Sequence, residues 1–230
     1  MRVLVCGANG GIGSACVAAA TAAGYRVTGV DRPDLDITVQ DGAERAVERA
    51  VTELGGLDGV VHAIGMSGRR LGDGPVSACT DQAWAEVLRV NLESVFRLLR
   101  AALPVLAGGG GGSIVVVGST LAHTLDRDFL TAAYATSKAA VETLVRLAAF
   151  EGAANNVRVN VVAPALVDTP MATRALTSPE LSSRLPELMP LGGGPATPPE
   201  VAAAVTWLLS PASARVTGAV VPVDGGWMLR

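Results

Sequence analysis

Tyr134 and Lys138, in Tyr134-Ala-Thr-Ser-Lys138, are the side chains whose types and spacing most directly suggest chemistry. Four residues apart, they share one face of a helix, one turn apart. A free tyrosine titrates near pH ~10, and a close positive charge favours the phenolate and draws that value down. A tyrosine tuned in this way exchanges a proton with a substrate oxygen near neutral pH. The spacing alone is weak, because a packed tyrosine beside a solvated helix lysine gives the same pattern. The elements that surround the pair decide between the two readings.

The N-terminal segment supplies the first of them. Arg2 to Cys6 is short, apolar and ended by glycine, and reads as a buried strand. Gly7-Ala-Asn-Gly-Gly11-Ile-Gly13 follows, then an alanine-rich run to Ala23 that favours helix, with Gly24 to end it. Tyr25 to Val30 reads as a second strand with Asp31 at its end. Strand, glycine turn, helix, strand and acid in this order form a dinucleotide-binding unit. Gly7, Gly11 and Gly13 let the backbone turn tightly and approach a pyrophosphate, and the helix starting near Gly13 points its free N–H groups at that anion. Asp31 can accept hydrogen bonds from the adenosine ribose and would repel a 2′-phosphate, so NAD is favoured over NADP. Arg32, directly after the acid, speaks the other way.

The remaining segments alternate in the same manner. Asp34 to Ile37 is expected as a short third strand or its end, Asp41 to Leu54 as an amphipathic helix, and Leu57 to Ile64 as a strand closed by Gly65. Residues 66–80 read as loop. Asp81 is expected to cap one long helix reaching about Leu106, with Pro104 weakening its last turn. Asn91 inside that helix is either a tolerated surface residue or a local distortion with a polar role. Five glycines from Gly108 to Gly112 connect to the apolar strand Ile114-Val-Val-Val117, whose end carries Ser119, where active groups gather in open α/β sheets. Tyr134 to Phe150 is expected as helix and Val157 to Ala163 as strand. Residues 165–200 form a Pro-, Ser- and Thr-rich segment long enough for a substrate lid. Glu200 to Ser210 and Gly218 to Val223 complete the alternation as helix and strand. The expected fold is α/β: one domain with a doubly wound parallel sheet between two helical layers.

Composition narrows the function. The 230 residues suffice for one such domain, and half are hydrophobic with only 3% aromatic, so aliphatic side chains must build the core. A formal net charge of -3 without a basic run argues against nucleic acid as a partner. Cys6, Cys16 and Cys79 have no metal-ligand spacing and read as free thiols. With only His62 and His123 besides, no metal is expected. No stretch has the length of a membrane span or the anatomy of a signal peptide, and the expectation is a cytoplasmic protein without membrane attachment.

Together, Gly7, Gly11, Gly13, Asp31, Asn91, Ser119, Tyr134 and Lys138 resemble the pattern of the short-chain dehydrogenase/reductase family, over essentially the whole chain. Asn160-Val-Val-Ala-Pro164 with Thr169, and Val223-Asp-Gly-Gly226, are similar to two further family segments. The resemblance implies that Tyr134 is the general acid/base, that Lys138 lowers its pKa and holds the nicotinamide ribose, and that Ser119 bonds the substrate oxygen. Asn91 would support Lys138 through an ordered water. Cofactor contacts are implied at Gly7, Asn9, Gly11, Ile12 and Gly13, then at Asp31, Arg32, Asp36 and Ile37. Ala63, Gly65, Pro164, Val167 and Thr169 complete the implied set. A dimer or tetramer through the helices around Asn91 and after Lys138 is implied as well. Three departures stand out: His62-Ala-Ile-Gly65 replaces the usual Asn-Asn-Ala-Gly, Ala165 replaces a glycine, and the gap from Ser119 to Tyr134 is long, with Thr120 as a fallback hydroxyl. His62 reads first as a structural substitute, and His123 as an exposed loop residue. The leading function is NAD-dependent oxidation of a secondary alcohol or reduction of its ketone. A 3-oxoacyl thioester reductase using NADPH and a non-catalytic NAD-binding regulator are the competing readings.

Overall fold

Val3-Leu-Val-Cys6 carries apolar side chains on both faces, and a strand of that kind is stable only in a sheet covered on both sides. The structure, a computed structural model, describes residues 1–229. It places β1 (Arg2–Cys6), β2 (Arg26–Val30), β3 (Gly59–His62), β4 (Gly112–Val117), β5 (Val157–Pro164) and β6 (Val220–Val223) in one parallel sheet of order β2-β1-β3-β4-β5-β6. The helices are α1 (Gly11–Ala22), α2 (Gly42–Leu54), α3 (Asp81–Leu88), α4 (Ser94–Gly108), α5 (Ala132–Ala153), α6 (Thr173–Thr177), α7 (Pro179–Leu188) and α8 (Pro198–Leu209).

Strand alternation divides the core. Leu4, Cys6, Val60, Ile114 and Val116 face Val47 of α2, Leu98 of α4 and Val145 of α5. Val3, Val5, Val61 and Val115 face Cys16 of α1 and Val201, Val205 and Leu208 of α8. Both layers are fully buried, and each such aliphatic side chain contributes roughly 1.5–3 kcal/mol. This is the doubly wound, three-layer arrangement expected from the alternation. The pairing of Val5 with Val61 and of Val61 with Val115 aligns the C-terminal strand ends along one edge, where Gly7, Gly65 and Ser119 follow.

Three local expectations need correction. Asp34 to Ile37 forms no strand. Asp36 Oδ1 accepts from both the N–H and the hydroxyl of Thr38, at 2.8 and 2.7 Å, which folds the segment into a side-chain-closed turn instead of a ladder. Arg89 and Arg97 then bond the Thr38 carbonyl and pin the turn against α4. Secondly, the residue that caps α3 is Thr80, whose hydroxyl accepts from Ala83 N–H at 3.1 Å; Asp81 is the first helical residue. Thirdly, the single long helix is interrupted: residues Arg89–Glu93 form a π turn between α3 and α4. Such a bulge rotates one residue inward, and the residue turned in here is Asn91, fully buried. Beyond it, α4 runs through Pro104 to Gly108.

The segment after β5 is ordered by its own small core. Leu181, Leu185 and Leu188 of α7, with Met189, pack on Phe129 and on Trp227 near the C-terminus. The Phe129 and Trp227 rings meet edge to face at 5.1 Å, a favourable aromatic geometry. Arg184 of α7 pairs with Asp126 and Asp128, tying the segment to the loop before α5.

Candidate active site

Tyr134 lies in the first turn of α5, and the helix begins there for a reason that local sequence does not show. Asp73, 5% exposed, accepts the N–H of Ala133 on Oδ1 and that of Tyr134 on Oδ2, both at 3.0 Å. The Gly74 carbonyl accepts from Ala132 N–H. A carboxylate at the positive end of a helix satisfies free N–H groups and the dipole together. The loop of residues 66–80 therefore holds the start of α5, and Tyr134 with it. Sequence reasoning missed Asp73: its partners lie 60 and 61 residues away, and a lone acid among glycines carries no local signal.

One turn on, Lys138 is 3% exposed and donates to the Val117 carbonyl at the end of β4, at 2.8 Å. Its Nζ stands 5.8 Å from the Tyr134 ring centroid. Burial without a carboxylate partner pushes its pKa down to about 8. For Tyr134 the expected lowering by Lys138 is not found. Burial raises the phenol pKa, and the contact that pulls the other way is a hydrogen bond with Ser119. Ser119 lies just past β4, where its hydroxyl also accepts from Leu121 N–H at 3.2 Å. Thr120 is turned away, 1% exposed and directed at the Pro164 carbonyl. The hydroxyl on Tyr134 is thus that of Ser119.

Asn91 reaches the same region from the π turn. Its side chain accepts from Met66 N–H at 2.9 Å, and donates to the Met66 carbonyl at 3.0 Å and to Ser137 Oγ at 3.1 Å. It makes no direct bond to Lys138. A β-carbon on Gly65 would stand 3.6 Å from both Asn91 Oδ1 and Lys138 Nζ, so the glycine leaves open the space between them.

Ser119, Tyr134 and Lys138 line one cleft of about 420 Å³. Of the expected cofactor contacts, Ile12, Ala63, Gly65, Pro164, Val167 and Thr169 line it too. Gly7, Asn9, Gly11, Gly13, Asp31, Arg32, Asp36 and Ile37 lie outside its wall. Ile37 is wholly buried in the core, and Asp36 closes its turn with Thr38. Gly11 packs so closely on Thr169 that a β-carbon would fall 2.6 Å from its methyl group. Gly13 sits against the Gly7 carbonyl, where a β-carbon would come to 1.9 Å.

The turn fits a nicotinamide dinucleotide. The N-terminus of α1 has no side-chain cap and no acid in its first turn, so its N–H groups remain available to a pyrophosphate. Asp31, at the end of β2, accepts from Asn9 N–H at 2.9 Å and Arg32 N–H at 2.8 Å, which orients its carboxylate.

The two histidines stand apart from the cleft wall. His62 is fully buried, with Nε2 2.8 Å from Ser94 Oγ and Nδ1 unpartnered. Burial and the nearby Lys138 charge press its pKa down to about 3. His123 bonds Glu142 at 2.8 Å. Other wall residues were not anticipated as site residues: Arg69 and Arg70 from the 66–80 loop, Arg174 of α6, and Trp227. No helix among the described residues is long and apolar enough to cross a membrane.

Comparison with known proteins agrees with this geometry. Residues 34–228 match the family profile described as enoyl-(acyl carrier protein) reductase. A galactitol 2-dehydrogenase (L-tagatose-forming) from Cereibacter sphaeroides is 32% identical, with 97% of this chain and 93% of the relative covered. A 3-oxoacyl-[acyl-carrier-protein] reductase from Vibrio cholerae is 30% identical over 97% of this chain and 95% of its own. Among solved structures, a short-chain type dehydrogenase/reductase from Mycobacterium ulcerans superposes with a TM-score of 0.92 at 34% identity, covering 99% of this chain and 90% of that one. With the parallel sheet, the uncapped glycine turn and the Ser119, Tyr134 and Lys138 cleft, these matches place the chain in the short-chain dehydrogenase/reductase family of oxidoreductases.

Proposed function

We propose that the protein interconverts a secondary alcohol and its ketone with NAD as hydride carrier, using Tyr134 as general acid/base. The observation that carries this reading is the convergence of the Ser119 hydroxyl, the Tyr134 phenol and the Lys138 ammonium on one cleft beside the open end of α1. When bound, the nicotinamide supplies a site that accepts or donates a hydride. In oxidation the substrate hydroxyl proton passes to Tyr134 Oη as the carbon-bound hydrogen leaves with its electron pair; reduction reverses both transfers. Ser119 Oγ bonds the same substrate oxygen and fixes its direction. Lys138 keeps two N–H donors after bonding the Val117 carbonyl. These hold the ribose hydroxyls, while the hydrogen bond with Ser119 opposes the burial that raises the phenol pKa. Asn91 Oδ1 retains a lone pair over Gly65, so one water there joins it to Lys138 and connects the proton path outward.

Asp31 supports NAD over NADP, because a carboxylate held by two backbone N–H groups accepts ribose hydroxyls and repels a phosphate. Residues 165–200 act as the substrate lid. Phe96 of α4, with Leu147 and Phe150 of α5, is exposed at 47%, 64% and 89%, an apolar face suited to self-association in a dimer or tetramer. The thioester-reductase reading draws support from the Vibrio cholerae relative and is opposed by Asp31. Measured turnover of NAD against a secondary-alcohol panel tests the proposal. Tyr134→Phe should lose ~10²–10⁴-fold in kcat, and an undiminished rate in that variant refutes the mechanism. Asp31→Ala should weaken NAD and relax the discrimination against NADP in a fluorescence titration.

A further inference from the structure

We propose that Arg69 and Arg174 form an anion-binding end of the substrate cleft, and that the alcohol or ketone taken there carries a carboxylate. The word alcohol rests on the oxidoreductase reading above; the anion site does not.

The charge distribution points to it. Arg2, Arg49, Arg89, Arg97, Arg100 and Arg184 each have a carboxylate oxygen within salt-bridge distance. Among the described residues no such pair is formed by Arg69 or Arg174, though both line the cleft that holds Tyr134 and Ser119. The acids near them are engaged elsewhere. Asp73 has both oxygens on the N–H groups of Ala133 and Tyr134, and the Asp126 and Asp128 carboxylates face Arg184.

The two guanidinium groups are also brought together. Each sends its Nη2 to the same acceptor, the Asp128 carbonyl, Arg174 at 3.0 Å and Arg69 at 3.4 Å. Arg174 is steadied further by the Phe129 ring, 5.8 Å from its Cζ to the centroid. One hydrogen bond each leaves most of the five donors of a guanidinium unused. Side by side without a counter-ion, the charges repel, and burial together with the Arg174 charge presses the Arg69 pKa down against a smaller upward pull from Asp73. A bound carboxylate relieves that repulsion and matches the planar fork of either arginine. Capping one carbonyl would not require two arginines. The wall that this pair shares with Tyr134 also includes Leu121, Phe129, Met171 and Trp227. The substrate that fits has an apolar body, with its reacting oxygen at Tyr134 and its carboxylate at the arginines.

Matched substrates test this. Hydroxy fatty acids with the hydroxyl at carbon 3, 4 or 5 are compared with their methyl esters in NAD-linked turnover by the whole protein. A parallel calorimetric arm measures binding of hexanoate, which has no hydroxyl to oxidise, and of inorganic phosphate. In the wild type, one acid of the series should exceed its ester at least ~10-fold in kcat/KM, the range expected when a charge-assisted bond is removed. Arg69→Gln and Arg174→Gln should each raise KM for that acid by about 10-fold with little change in kcat, leave the ester unaffected, and weaken hexanoate. Arg174 is exposed, so its variant stays informative even where Arg69→Gln fails to fold. Equal turnover of acid and ester overturns the proposal while the oxidoreductase reading stands. So does a loss of NAD affinity in the arginine variants with substrate KM unchanged, which would assign the pair to the cofactor. Phosphate binding more tightly than hexanoate at the same arginines overturns the carboxylate in favour of a phosphorylated substrate. Hexanoate binding that depends on the arginines, with no turnover of any substrate, sustains the anion site and sinks the oxidoreductase reading.

Discussion

Replacing Asp73 by alanine removes the carboxylate that, together with the Gly74 carbonyl, fixes where α5 begins. The carboxylate is buried, lies 60 residues before its first partner, and takes the N–H groups of Ala133 and Tyr134 at 3.0 Å each. Hydrogen bonds to a charged group contribute about 1.5–3 kcal/mol each, and loss of a helix cap costs about 0.5–2 kcal/mol in all. The two bonds share one carboxylate, and its desolvation is recovered on removal, so about 2–3 kcal/mol of destabilisation is expected rather than the sum. Urea unfolding reads this as a lower midpoint at unchanged slope. The same change should lower kcat more than the stability loss explains. A reacting group displaced by about 1 Å can lose on the order of 10²-fold, and Tyr134 is one of the two residues released. Asp73→Asn keeps an acceptor for one N–H and should restore part of both losses. A wild-type unfolding midpoint together with a wild-type kcat in Asp73→Ala would refute the view that this loop positions the tyrosine.

Four other outcomes follow from how the groups around the site are packed. Lys138 has a folded pKa of about 8 against an ordinary value of 10.5, so the unfolded chain binds more protons between those values. Stability of the cofactor-free protein should therefore rise with pH from about 8 towards 10, and Lys138→Met should flatten that rise in thermal melts taken across the range. His62, held neutral with its pKa near about 3 against 6.5, should destabilise the fold as pH falls through that interval, because the unfolded imidazole protonates first. His62→Gln should lessen this acid sensitivity in the same melts, and an unaltered pH profile would disprove it. Gly13→Ala would drive a β-carbon to 1.9 Å from the Gly7 carbonyl, so loss of soluble folded protein is expected. Gly11→Ala meets Thr169, nearest at its methyl group, and should fold, with weakened binding of the nicotinamide cofactor measured by titration.

The legible parts of the protein share a physical feature: each depends on neighbours in the chain. Periodicity in Val3 to Cys6 and Ile114 to Val117 is enough to mark strands buried on both faces, because one residue's direction dictates the next. The glycine turn, Asp31 and the Tyr134-to-Lys138 spacing were readable because the βαβ unit and the helix turn are local geometries. Misreadings came where a side chain from elsewhere intervened. Arg89 and Arg97 reach the Thr38 carbonyl and hold the segment after Asp34 as a turn where a strand was expected. Asn91, readable either as a surface residue or as a local distortion, met Met66 and Ser137 in a π turn that interrupts the expected long helix.

By itself, then, the sequence determined the alternating fold, the dinucleotide turn and the pair of residues around which chemistry could be built. The tertiary structure decided what surrounds them. It turned Ser119 rather than Thr120 towards the phenol, set Asp73 on the start of α5, and buried Lys138 beneath the Val117 carbonyl. It also raised the Tyr134 pKa where spacing alone implied a fall, because desolvation depends on everything packed around a group and not on the charge one turn away. Arg69 and Arg174 are over a hundred positions apart in the chain, and only the fold brings both to the Asp128 carbonyl and to the wall of one cleft.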